Sequence, residues 1–188
     1  VLLDRLVAEY PNREGRASLE NSAYELRLNG WNRPILVITS EFAPSDGAIE
    51  WARNLCLSDK YKEHVVIYMT HSYMKCSGFC DNALIQRENY PLTKKEGNNS
   101  GQQIWEKLVS QVPNLRLVLC GHHAHGADKD GNDQYEGSIG WRADKNNAGE
   151  TVYQMLYDTQ TLGGGWEGNG GDGWIRILEF QPDGKTVK

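Results

Sequence analysis

Hydrophobic and polar positions follow two rhythms along this chain, and the switches between them mark its elements. Ala23-Tyr-Glu-Leu-Arg-Leu28 alternates apolar and polar, as a strand with one wetted face does, and Asn29-Gly30 behind it predicts a hairpin turn. Arg33 to Thr39 is almost continuously apolar, which predicts a strand covered on both faces. Ser45 or Asp46 then caps a helix whose Ile49, Ala52, Leu55 and Cys56 share one face. A second apolar run, His64-Val-Val-Ile-Tyr-Met-Thr-His71, predicts the next strand. About thirty residues without a clear rhythm (72–100) follow, long enough to build a site. Helical spacing returns from Gly101 to Gln111 with Ile104, Trp105, Leu108 and Val109 inward, and Asn114 opens a strand that ends at Gly121-His122.

The flanks read differently. Residues 1–9 carry helical apolar spacing, residues 10–21 and 126–149 read as polar loops, and Glu150 to Tyr157 alternates as a strand. Residues 163–173 form a glycine-rich connector. It lacks the Lys-Ser/Thr of a phosphate-binding loop, and no helix follows it. Asp128-Lys-Asp-Gly-Asn-Asp133 has its glycine misplaced for a calcium loop and no glutamate at the twelfth position. Trp174 to Phe180 predicts one more strand, with a turn at Pro182-Asp-Gly184, and the last strands read as antiparallel.

Strand, helix, strand, helix, strand predicts an α/β core with parallel strands whose ends fall on one edge of the sheet. That geometry places Glu41, His71 and His122 along one rim, with neighbouring strands ~4.8 Å apart. Three of the five histidines stand at 122, 123 and 125. Imidazole is the commonest side-chain metal ligand, and strand ends of open α/β sheets are where ligands bind. The candidate metal ligands are His71, His122 and His125; His123 and His125 are the candidate catalytic proton donors. Gly121 is expected to permit the turn that aims the ring of His122. His64 reads as an ordinary surface residue and Glu41 as a structural or supporting carboxylate.

Composition narrows the classes. With 188 residues the chain is long enough for a real core and reads as a single domain. A formal charge of −5 without a basic run argues against a nucleic-acid partner. No apolar stretch approaches the ~20 residues of a membrane span. Cys56 and Cys120 sit in apolar contexts, whereas Cys76 and Cys80 are open to pairing, to metal or to remaining free thiols; a pair would lean towards an exported protein, with the compartment otherwise open.

Thr70-His71, Ser40-Glu-Phe-Ala-Pro44, Cys120-Gly-His122 and the closing Gly-Gly-Asp-Gly-Trp-Ile-Arg-Ile-Leu178 resemble the C-terminal half of the calcineurin-like metallophosphoesterases. The resemblance spans roughly residues 21–188. It implies an α+β sandwich of two facing mixed sheets flanked by helices. It also implies two divalent transition metals (manganese, iron or zinc) and hydrolysis of a phosphomonoester or phosphodiester by a metal-activated hydroxide. His71 and His122 match histidine ligands of one metal. The second histidine of the family's Gly-His-x-His falls at Ala124, with His123 and His125 on either side. The family's aspartate-bearing metal motifs are not in these residues, so the resemblance implies a partial domain over 1–188 with those motifs ahead of Val1, and little turnover by the 188 residues alone. The substrate, a small-molecule, nucleotide or lipid phosphate ester, and the oligomeric state stay open. Two alternatives stand beside this one. One is a mononuclear zinc hydrolase using His71, His122 and His125. The other is a non-catalytic carbohydrate- or partner-binding module, suggested by six tryptophans and the glycine-rich loop.

Overall fold

The computed structural model describes residues 3–90, 97–123, 137–161 and 170–188. Its frame is an eight-stranded mixed sheet. In chain order the elements are β1 (Leu6–Tyr10), β2 (Asn21–Leu26), β3 (Ile35–Ser40), α1 (Asp46–Leu57), β4 (Val65–Thr70), β5 (Met74–Lys75), β6 (Phe79–Asp81), β7 (Leu84–Ile85), α2 (Gly101–Lys107), β8 (Leu115–Cys120), β9 (Ser138–Lys145) and β10 (Thr151–Asp158). The strand order is β1-β2-β3-β4-β8-β10-β9-β6, and β5 pairs with β7 in a small second sheet. β3, β4, β8 and β10 are mutually parallel, so the α/β core expected from the alternation of rhythms is present. The facing sheet of a two-sheet sandwich is not: among the described residues the second sheet has only two short strands. No helix among them is long and apolar enough to cross a membrane.

Both faces of the parallel strands carry apolar side chains, as their continuous runs require. Leu36, Ile38, Val66, Tyr68, Val118, Val152 and Leu156 pack under α1 and α2 with Ile49, Ala52, Cys56, Ile104 and Leu108. Ser45 caps α1 through a bond from the Ala48 N–H to its hydroxyl, and Ser100 and Gln103 form a reciprocal capping box at α2. On the opposite face Ile35, Val65, Ile67 and Leu117 are covered by Trp31 and by Leu178, Phe180 and Val187 of the C-terminal hairpin. Trp31 meets Phe180 edge-on at 5.2 Å between centroids.

Four local expectations are corrected. Residues 6–10 form a strand rather than a helix. A bulge between Leu6 and Ala8 in the β1–β2 ladder breaks the period of two, and both Val7 and Ala8 reach the core. Residues 138–145 are a strand rather than a loop. β9 turns Gly140, Arg142 and Asp144 towards the core side, so its polarity pattern is inverted. Arg142 binds Asp144 with two bonds of 2.5 and 2.7 Å, and Gln154 links Asp144 (2.6 Å) to the buried hydroxyl of Tyr73 (2.6 Å). Residues 174–179 form no strand; Phe180 makes an isolated bridge to Val187, and Trp174, Ile175 and Ile177 are exposed. Strand propensity is realised only against a partner edge, and no described strand offers one there. His64, finally, is buried rather than on the surface, with Glu25 at 3.6 Å from its Nε2.

Candidate functional site

β4 and β8 are adjacent and parallel, so the residues that follow them emerge side by side at one rim. His71 follows β4 and His122 comes two positions after β8, with ring centroids 4.7 Å apart. The Gly121 N–H donates to the His71 carbonyl at 3.1 Å and ties the two strand ends together. The turn is not made where the sequence suggests: His122 itself, not Gly121, takes the left-handed conformation, at φ 66°. A non-glycine residue there costs about 1 kcal/mol, and backbone strain of this kind clusters at functional sites.

β3 completes the rim. Glu41 is buried, accepts from the Arg13 Nε at 3.1 Å and backbone N–H at 3.1 Å, and its other oxygen faces the Ser45 N–H at 3.4 Å. Its carboxylate therefore holds the turn after β3, in keeping with a structural role. Phe42 beside it packs against both imidazoles, with centroids 4.9 Å from His71 and 4.7 Å from His122. Tyr90 meets His122 edge-on at 5.2 Å. His71, Tyr90 and His122 wall one side of a cavity of about 1020 Å3, with Phe42 packed behind the two imidazoles. His71, Lys75, Arg87, Tyr90, His122 and His123 are among its lining residues. Lys75 and Arg87 bring positive charge to it; Ser72 fixes the neighbouring Gln86 side chain at 2.5 Å.

Burial, and then the neighbouring His71, push the His122 imidazole below its ordinary pKa, while Asp158 acts the other way. Both main causes keep the ring neutral, the form that offers a lone pair to a ligand. An NMR titration is expected to place the His122 midpoint below the ~6.5 of a free imidazole. Because the folded value lies below the unfolded one, the unfolded chain takes the proton first. The resulting penalty on the folded state sets in as pH falls below ~6.5 and is complete once the pH is under the folded value. His122→Gln should flatten that part of the stability profile; an unchanged slope would contradict the assignment.

Neutral imidazole is a donor type that divalent transition metals take. Two imidazoles at this spacing supply half of the ligands a four-coordinate ion takes. Among the described residues no group of three or more His, Cys, Asp or Glu side chains is placed to hold an ion. His125 and Ala124 lie outside the described residues, as does the Asp128–Asp133 segment. His123 is at the cavity wall, and its Nδ1 accepts from the backbone N–H of Cys76 at 3.3 Å. Cys76 and Cys80 form a disulfide, so of the three open readings for these cysteines pairing is the one realised; Cys56 and Cys120 are buried free thiols, both raised to about 12 by burial.

Phe42, Tyr90, Lys75 and Arg87 are the site residues that the sequence reading passed over. Phe42 could have been found, since it stands directly after Glu41 on the same rim; the others lie in the 72–100 stretch, where no period exists to place them. No family model matches the chain, and no curated protein or solved structure is significantly similar to it.

Proposed function

We propose that the protein is a metal-dependent hydrolase of phosphate esters whose His71 and His122 hold part of a divalent-metal site. The observation that carries the reading is the meeting of two imidazoles at the ends of adjacent parallel strands, beside a cavity that also holds a lysine and an arginine. A divalent metal bound there would acidify a water and neutralise charge on phosphoryl oxygens. The chain's own residues supply the rest. His122 is kept neutral and turned into the rim by its left-handed backbone. Lys75 and Arg87 attract and orient an anionic ester, Tyr90 excludes water from one side, and Phe42 holds the two imidazoles from behind. His123, with Nδ1 engaged, carries its proton on Nε2 and can donate it to an ester oxygen.

The test is turnover of bis-p-nitrophenyl phosphate and p-nitrophenyl phosphate by the full-length protein before and after chelation. Activity lost with chelator and restored by manganese, iron or zinc is expected; chelator-resistant turnover, or none with any metal, overturns the reading. One observation favours a second reading, a carbohydrate- or partner-binding module: Trp141 and Trp174 are 50% and 63% exposed. Binding of glycans with no metal requirement, abolished by Trp141→Ala, would favour it.

A further inference from the structure

The Cys76–Cys80 bridge lies outside the metal rim yet touches it through one bond. Cys76 directly follows β5, whose Lys75 lines the cavity, and Cys80 lies in β6, the edge strand that pairs with β9. The four-residue separation closes a tight loop. That loop is docked on β9: the Gly78 carbonyl accepts from Ile139 N–H at 2.9 Å, and the Cys76 carbonyl accepts from the Ser138 hydroxyl at 3.0 Å. Cys76 also backs onto Gly140, where an added Cβ would stand 3.3 Å from the Cys76 Cβ. Ser138 therefore fixes the carbonyl side of Cys76 and the disulfide fixes its side chain. Between them they aim the Cys76 N–H at Nδ1 of His123.

We propose that the Cys76–Cys80 disulfide is a redox-sensitive positioning device that holds His123 in one tautomer, with Nδ1 as acceptor and the proton on Nε2. A backbone N–H can only donate, so the nitrogen that receives it must offer a lone pair, and the neutral ring is left with its proton on the other nitrogen. The His123 N–H donates in turn to the Gly121 carbonyl at 2.8 Å, which holds the backbone while Cys76 holds the ring. Reduction by a dithiol breaks the Sγ–Sγ bond. Two electrons and two protons pass to the two cysteines, and the dithiol leaves as its own disulfide. The side chain of Cys76 is then free, its N–H loses one of two constraints, and the ring of His123 exchanges between tautomers. Cys76 acts here through His123 and is a positioning residue. The consequence for turnover rests on the phosphoesterase reading above; the consequence for the ring does not.

The experiment is a long-range proton–nitrogen NMR correlation on histidine-labelled full-length protein in three forms: oxidised, dithiothreitol-reduced, and Cys80→Ser. Circular dichroism on each form confirms the fold. The oxidised protein is expected to show His123 with a pyridine-like Nδ1 and a pyrrole-like Nε2. Both other forms should show a tautomer mixture, and the reduced wild type should recover on reoxidation. Where the protein turns over phosphate esters, kcat should fall about ten- to a hundredfold with KM nearly unchanged, the size expected of a misplaced group. A proton found on Nδ1 in the oxidised form, or a His123 spectrum unmoved by reduction, overturns the proposal. A spectrum that shifts in a protein with no phosphoesterase activity supports the positioning role and removes the phosphoesterase reading instead.

Discussion

Replacing His122 by alanine is expected to lower phosphodiester turnover by more than ~100-fold while leaving the fold in place. Groups that merely support a metal ligand already contribute ~10–100-fold in affinity or activity, and a ligand itself contributes more. The ring is half-buried at the rim, and the packing it loses is to Phe42, Tyr90 and His71, none of them in the core clusters. Alanine tolerates the left-handed conformation somewhat less well than histidine, so a stability loss of no more than about 1 kcal/mol is expected. His71→Ala should behave alike. The informative comparison is His64→Ala, a buried histidine far from the rim whose loss should destabilise the protein without a specific effect on turnover. Equal effects of His64→Ala and His122→Ala on kcat, at equal folded fraction, would remove the rim from the mechanism.

The second large effect is on stability. Gly101 opens α2, and helix propensity alone predicts that Gly101→Ala stabilises by up to ~1 kcal/mol. The packing predicts the opposite. A Cβ at Gly101 would stand 2.0 Å from the Tyr73 carbonyl oxygen and 2.9 Å from its carbon, both backbone atoms. Tyr73 cannot retreat: its side chain is fully buried and its hydroxyl is bound to Gln154 at 2.6 Å. Either α2 lifts from the sheet or the segment after His71 moves. Overpacking of this kind costs ~1–3 kcal/mol or more, so a Tm fall of roughly 6–12 °C is expected at the upper end for a chain of this size. Gly30→Ala is the control. Nothing lies within 4 Å of its Cβ position, and only its φ of 80° opposes the substitution, at about 1 kcal/mol. A Gly101→Ala protein as stable as Gly30→Ala would contradict the close approach of α2 to Tyr73.

The frame of this fold was legible because its strands are buried on both faces. Runs such as Ile35–Ile38 and Val65–Met69 are short and rich in β-branched residues, which favours strand over buried helix, and the helix between them has one apolar face and a serine cap. Parallel connection then fixes which residues share an edge, and so puts His71 and His122 side by side from the sequence alone. What was illegible follows from interactions that leave no period. The β1 bulge makes a strand look helical, and β9 hides its pairing behind an Arg142–Asp144–Gln154 network where a core side chain would be expected. Residues 174–179 have the composition of a strand and no partner edge among the described residues. The tie between Cys76 and His123 joins positions 47 residues apart, and a backbone donor carries no residue signature at all.

The central claim is that the paired imidazoles at the ends of β4 and β8 bind a divalent metal. Equilibrium dialysis of the full-length protein against zinc and manganese, with the bound metal measured by atomic emission, tests it most directly. The account predicts metal retained by the wild type and lost together by His71→Ala and His122→Ala, with His64→Ala unaffected. Retention of the same metal by both rim variants, or none by the wild type, would contradict it.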